Sequence, residues 1–160
     1  MSKKATEKGF MEMAVREAFK GMVGNEGGPF GAVLVKDGRA VARGHNRVVK
    51  TKDPTAHAEI VAIRRASKKL GRFDLSDCQI YSTCEPCPMC LAAIYWARIR
   101  RIYFGCAKED ATKIGFADES IDAAIKGKLS ARKLRMICME REGCLKLFAA
   151  WEQKSDKVLY

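Results

Sequence analysis

Two short segments of this chain carry residue types that can do chemistry. His57-Ala58-Glu59 comes first, and Pro86-Cys87-Pro88-Met89-Cys90 follows further along. One imidazole and two thiols make a donor set for zinc. Three protein ligands leave the fourth tetrahedral position open to water, as a hydrolytic zinc requires. Zinc in such a site lowers the pKa of its water to about 7. A purely structural zinc site has no need of Glu59. A carboxylate beside the metal can take the water's proton and deliver it to a substrate, work typically worth about 10²–10⁴ in rate.

Each element also has a plainer reading. A Cys-x-x-Cys pair alone can be redox-active or structural. Cys84 lies close enough in sequence to complete a Cys₃His structural site that would have no open position. Cys78, Cys106, Cys138 and Cys144 are expected as small core residues. His45, the other histidine, is expected at a strand end in a loop or packing role.

The elements that must position these residues follow from pattern. Phe10, Met13, Ala14, Ala18 and Met22 recur at helical spacing, which predicts a helix over 6–22 ended by Asn25-Glu26-Gly27-Gly28-Pro29. Residues 30–36 and 39–45 read as strands joined by the hairpin signal Asp37-Gly38. Asp53-Pro54-Thr55 is expected to open a helix that contains His57 and Glu59 and runs to Leu70, with Gly71 as its C-cap. Residues 79–83 form a short strand, and Pro86 starts a second helix. Strands over 101–105 and 133–139, a short helix at 121–126 and a terminal helix over 144–154 complete the pattern. Strand pairs giving way to alternating helix and strand imply an α/β domain with helices covering a mixed sheet. Cys87 and Cys90 are three residues apart and so share a helix face. In a first helical turn, the helix dipole helps hold both as thiolates.

At 160 residues the chain reads as one domain, 1–160. No apolar h-region marks a secretory signal, and no stretch approaches the roughly 20 apolar residues of a membrane span. Seven cysteines, three of them crowded into 84–90, read as a reduced cytoplasmic chain with a metal site and not as a disulfide framework. The net charge of +11 fits either a nucleic-acid face or a solvated surface. Few aromatics interleave with the basic runs, so no stacking platform for single strands is apparent.

The stretch from Gly27 to Ile121 resembles the cytidine/deoxycytidylate deaminase superfamily, whose zinc signature is H-x-E followed by P-C-x-x-C. Within it the chain is most similar to the bacterial guanine deaminases. The carrying segments are Gly27-Gly28-Pro29-Phe30-Gly31-Ala32-Val33, Asp53-Pro54-Thr55-Ala56-His57-Ala58-Glu59, Cys84-Glu85-Pro86-Cys87-Pro88-Met89-Cys90 and Ala93-Ile94-Tyr95-Trp96-Ala97-Arg98. Gly115-Phe116-Ala117-Asp118 and the ending from Phe148 to Tyr160 add to the match. The resemblance implies a three-layer α/β/α fold on a mixed five-stranded sheet. It implies zinc on His57, Cys87 and Cys90, with Glu59 as proton shuttle and Asp118 near the departing amino group. It implies a small purine bound by Asn46, Phe30, Trp96 and Tyr160, and a homodimer that exchanges its C-terminal segment. Ala117 departs from the acidic residue that many relatives carry there. The implied reaction is hydrolytic conversion of guanine to xanthine and ammonia.

Other readings stay open on the sequence. A guanosine deaminase shares the central segments. A tRNA adenosine deaminase would use the basic runs, but such enzymes usually carry a Gly-Ala-x-Gly-Ser-like loop where this chain has Gly115-Phe116-Ala117-Asp118, and they lack the ending. A non-catalytic zinc-stabilised RNA-binding module would leave Glu59 without a purpose.

Overall fold

A computed structural model describes residues 6–127 and 136–158. The chain divides into two compact units, Met1–Glu119 and Ser120–Tyr160.

In the first unit, helix α1 (Glu7–Val23) starts where the Thr6 side chain accepts the amide hydrogen of Gly9. Strands β1 (Gly31–Lys36) and β2 (Arg39–His45) form the expected hairpin. Asp37 and Gly38, with φ of 50° and 70°, supply the left-handed pair that a tight two-residue turn needs. A short helix α2 (Val48–Thr51) leads to α3 (Ala58–Leu70), ended by Gly71 at φ 66°. Strand β3 (Cys78–Cys84), helix α4 (Pro88–Trp96), strand β4 (Arg101–Cys106) and helix α5 (Lys108–Lys113) follow. Helix α6 (Glu119–Ile125) runs from the first unit into the second.

The sheet order is β2-β1-β3-β4. β1 is antiparallel to both β2 and β3, and β3 is parallel to β4. β2 and β3 therefore run the same way, and α3 and α4 both begin beyond the carboxyl ends of those strands. One sheet face presents Ala32, Leu34, Ala42 and Ile80 to Ala58, Ala62 and Ala66 of α3 and to Ile94 of α4. The other presents Val33, Val35 and Tyr81 to Phe10 and Ala14 of α1. This is the expected α/β/α layering, with period-2 alternation in the strands feeding two separate cores. β2 is an outer strand, and α3 covers its outward carbonyls. Arg65 donates to Arg43 O at 2.7 Å and Lys69 to Val41 O at 3.0 Å.

Four strands are described, against the expected five. Residues 133–135 of the anticipated last strand lie outside the described residues, and 136–139 are not a strand. The apolar run there has strand propensity, but a segment becomes a strand only by pairing with a neighbour. Among the described residues, the second unit contains the rest of α6 and helix α7 (Arg141–Gln153). None of its described residues is buried, and Leu145, Leu147, Phe148 and Trp151 are exposed.

The layers meet at backbone distance where residues are small. A Cβ on Gly31 would stand 2.1 Å from the carbonyl oxygen of Ala14 in α1. Gly31→Ala is therefore expected to cost about 1–3 kcal/mol, as overpacking does. An unchanged thermal midpoint in the metal-loaded protein would contradict this close approach.

Candidate metal centre and active site

The two ligand segments sit at helix starts. His57 is the N-cap of α3 and Cys87 the N-cap of α4, while Glu59 and Cys90 lie in the first turns. Both helices begin later than the sequence pattern suggested. Residues 53–56 form a turn in which Asp53 accepts from Thr55 N at 2.8 Å, so Asp53-Pro54-Thr55 precedes the helix without opening it. At the other segment Pro88, not Pro86, takes the first helical position, where its missing N–H is no loss. The shift places His57 and Cys87 at the mouths of two helices, facing one another across the end of the sheet.

Within that mouth, Nδ1 of His57 and the sulfurs of Cys87 and Cys90 lie within 4.8 Å of one another. Nδ1 is 3.6 Å from each sulfur. Zinc bonds of about 2.3 Å to sulfur and 2.0–2.1 Å to nitrogen, at a tetrahedral angle, put the two donors about 3.5 Å apart. The spacing thus fits the ion before any is bound. Cys84 stands outside the cluster, and its sulfur bonds Ala107 O at 3.6 Å.

Electrostatics points the same way. The Cys87 thiol is held down at about 4, first by the hydrogen bond from Cys90 and then by His57, against the effect of burial. Cys90 is pushed upward by that same bond, by burial and by the charge of Glu59. The bond to Cys87 pulls His57 upward in spite of burial. The shared bond thus pushes the two thiols apart, Cys87 downward and Cys90 upward. A thiol that coordinates a dication is deprotonated outright. The positive ends of α3 and α4 favour the same outcome.

Glu59 is 6% exposed. Ser82 of β3 donates to its Oε1 at 3.0 Å, and Cys90 donates to its Oε2 at 3.3 Å. Burial pushes its pKa up, opposed by its backbone bond and by Ser82 and Cys90. A carboxyl raised in this way, beside a metal's donor atoms, is suited to carry a proton in both directions. Ser82 was not anticipated from sequence. Its signal was period-2 alternation, since it follows Ile80 on the face that α3 and α4 cover.

Asn46 is buried at the end of β2. Its Oδ1 accepts from Val48 N at 3.1 Å, which leaves the amide NH₂ as the donor it can offer. Its backbone N–H donates to Phe30 O at 3.0 Å, and the next residue, Arg47, donates to Ala56 O beside His57 at 2.9 Å. Asn46, Phe30 and the metal donors are thus one bonded neighbourhood. Phe30 meets Phe116 edge to face at 4.9 Å, which draws the Gly115-Phe116-Ala117-Asp118 segment to the same side. Asp118 has Lys108 3.9 Å away.

Other expected residues fall elsewhere. Trp96 is 67% exposed at the far end of α4, roughly 13 Å from Cys87 along the helix axis, so this chain does not bring it to the donor cluster. Tyr160 lies outside the described residues. Cys78 is buried as expected, but Cys106, Cys138 and Cys144 are exposed. Cys106 ends β4, an outer strand among the described residues, and Cys138 and Cys144 belong to the unit in which no described residue is buried. His45 does pack at the end of β2, between two carboxylates.

A zinc donor triad with a buried carboxyl at its side defines a zinc-dependent aminohydrolase of the deaminase type. Residues 4–106 match the family described as the cytidine and deoxycytidylate deaminase zinc-binding region, and the chain belongs to that family. It is 44% identical to the guanine deaminase of Bacillus subtilis (strain 168) over 151 residues, 94% of this chain and 97% of that protein. The crystal structure of guanine deaminase from Bacillus subtilis superposes with a TM-score of 0.92 at 42% identity, covering 97% of this chain and 99% of the other. The tRNA-specific adenosine deaminase of Agrobacterium fabrum (strain C58 / ATCC 33970) is 52% identical over 96 residues, 60% of this chain and 62% of that protein. Among the described residues, no helix is long and apolar enough to cross a membrane.

The purified protein is expected to hold about one zinc per chain by elemental analysis. Cys87→Ala and Cys90→Ala should lose the metal, and Cys84→Ala should keep it. Loss in the Cys84 variant would move that residue into the donor set.

Proposed function

We propose that this protein deaminates guanine hydrolytically, giving xanthine and ammonia. The observation that carries the reading is similarity that is both long and strong. A guanine deaminase matches 94% of the chain at 44% identity, whereas a tRNA-specific adenosine deaminase that matches 88% of it does so at 34%.

His57, Cys87 and Cys90 hold the zinc. When bound there, zinc supplies a Lewis acid that makes water nucleophilic near neutral pH. The chain's own residues do the rest. Glu59 takes one proton from the water as its oxygen bonds C2 and passes that proton to a ring nitrogen. It then takes the remaining proton from the new C2 hydroxyl and gives it to the amino group, which leaves as ammonia while the C2–N bond breaks and the C2 carbonyl forms. Asp118 helps receive that amino group. The NH₂ of Asn46 donates to an acceptor on the purine edge, Phe30 stacks on the ring, and Tyr160 closes over it.

The second unit supports the notion of a homodimer with an exchanged arm. A segment of this length with no buried described residue and an exposed Leu145, Leu147, Phe148 and Trp151 needs an apolar surface to cover them. A second copy of the chain supplies it, and the whole sequence is then one domain completed by its partner.

A second reading has its own support in the net charge of +11 and the 52% identity to a tRNA deaminase. An ammonia-release assay over guanine, guanosine and tRNA separates them. Turnover of guanine is expected. Inosine formed in tRNA with guanine untouched would establish the second reading instead.

Glu59→Gln keeps the size of the side chain and removes its acid–base function. Zinc content should survive while turnover falls by about 10²-fold or more. Near-normal turnover would pass the proton role to another group, Asp118 first. Light scattering is expected to return a dimer mass, and deletion of 156–160 should spare zinc but sharply reduce turnover. A fully active deletion variant would reject the closing role of Tyr160.

A further inference from the structure

Behind Asn46 lies a polar cluster, built around the buried His45, that the chemistry does not use. His45, 4% exposed, has Nδ1 3.2 Å from Glu17 Oε2 of α1 and Nε2 3.0 Å from Glu26 Oε2. Its ring lies against Gly21, where a Cβ would stand 2.5 Å from the ring carbon Cδ2. Glu26 gathers two more donors, Arg47 Nε at 3.2 Å and Lys50 Nζ at 2.7 Å. Its backbone is fastened too. Glu26 N donates to Gly21 O at 2.9 Å, and Lys50 N donates to Glu26 O at 3.0 Å. The bond from Lys50, and then that from His45, hold the Glu26 carboxyl at about 2, so it stays ionised at neutral pH.

The residue after Glu26 is the one that touches Asn46. A Cβ on Gly27 would stand 2.1 Å from Asn46 Oδ1 and 2.6 Å from Asn46 O. The side-chain amide of Asn46 therefore rests directly on the Gly27 backbone. Its flanking residues, His45 and Arg47, are both bonded to the Glu26 carboxylate. We propose that Glu26 is a positioning residue for substrate: it clamps Gly27 from one side and His45 and Arg47 from the other, and so fixes the angle at which Asn46 presents its NH₂ to the purine. This rests on the reading of Asn46 as a base-binding residue.

The clamp acts on ring recognition and leaves the metal donors and Glu59 untouched. Glu26→Ala should raise KM for guanine by about tenfold, the loss expected when one polar contact is misaligned, with kcat within about threefold of wild type and zinc content unchanged. The decisive measurement is a double-mutant cycle with Asn46→Ala. If Glu26 acts through Asn46, removing it from the Asn46→Ala protein should change kcat/KM by less than about twofold. Multiplicative losses, or a fall in kcat with KM unchanged, would overturn the proposal and leave Glu26 as a purely structural residue. Glu26→Gln keeps the acceptor for His45 and Arg47 without the charge. It replaces Glu26→Ala in the same cycle should that variant fail to fold. Wild-type turnover of guanine is the control for the proposed function. If guanine is inert, that function falls, and the cycle is run on whichever of guanosine and tRNA is deaminated; a coupling below twofold there still supports the clamp, and multiplicative losses overturn it.

Discussion

The whole site depends on one topological constraint: two crossover helices start at the same end of the sheet. β2 and β3 are both antiparallel to β1, so they share a direction, and α3 and α4 begin beyond their carboxyl ends. No sequence distance between His57 and Cys87 would bring them together without that arrangement. With it, an N-cap histidine and an N-cap cysteine face each other, and the first turns add Glu59 and Cys90. A crevice at the carboxyl ends of sheet strands is a general place for binding in α/β folds. Here the helix dipoles make it a favourable place for two thiolates as well.

Hydrogen bonds on one side and burial on the other then divide the labour among acidic groups. Cys87 is drawn below the usual thiol range by its partners, while burial drives Glu59 upward against the bond from Ser82. Two groups a few ångströms apart are pushed in opposite directions, one toward holding a metal and the other toward holding a proton. Ser82 and the first turn of α3 keep the carboxyl in place, so its tuning is a property of the layer packing and not of Glu59 alone.

The donor triad and Glu59 were legible because residue type and spacing together admit few chemistries. The hairpin and α1 were legible because period and turn chemistry agree. Helix starts were misplaced by a few residues because Pro and Asx signals also serve the turn before a helix, as Asp53 does. α5, Lys-Glu-Asp-Ala-Thr-Lys, has no apolar period to reveal it. The last strand was inferred from propensity, which carries no information about a pairing partner. The exposed Cys106, Cys138 and Cys144 were misjudged because the usual burial of cysteine says nothing of where a particular segment packs. The cluster around His45 was invisible for another reason. Glu17, Glu26, Arg47 and Lys50 look like surface charges in sequence, and only the return of β2 beside α1 gathers them.

Arg65 and Lys69 give part of the chain's positive charge a purpose unrelated to any ligand. β2 is an outer strand, and its outward carbonyls at Val41 and Arg43 are already taken by these cations. A strand from another molecule arriving there would have to displace two charge-assisted bonds before making its own. The β2 flank of the sheet is thus closed to foreign β-structure, whether it arrives in ordered assembly or in aggregation.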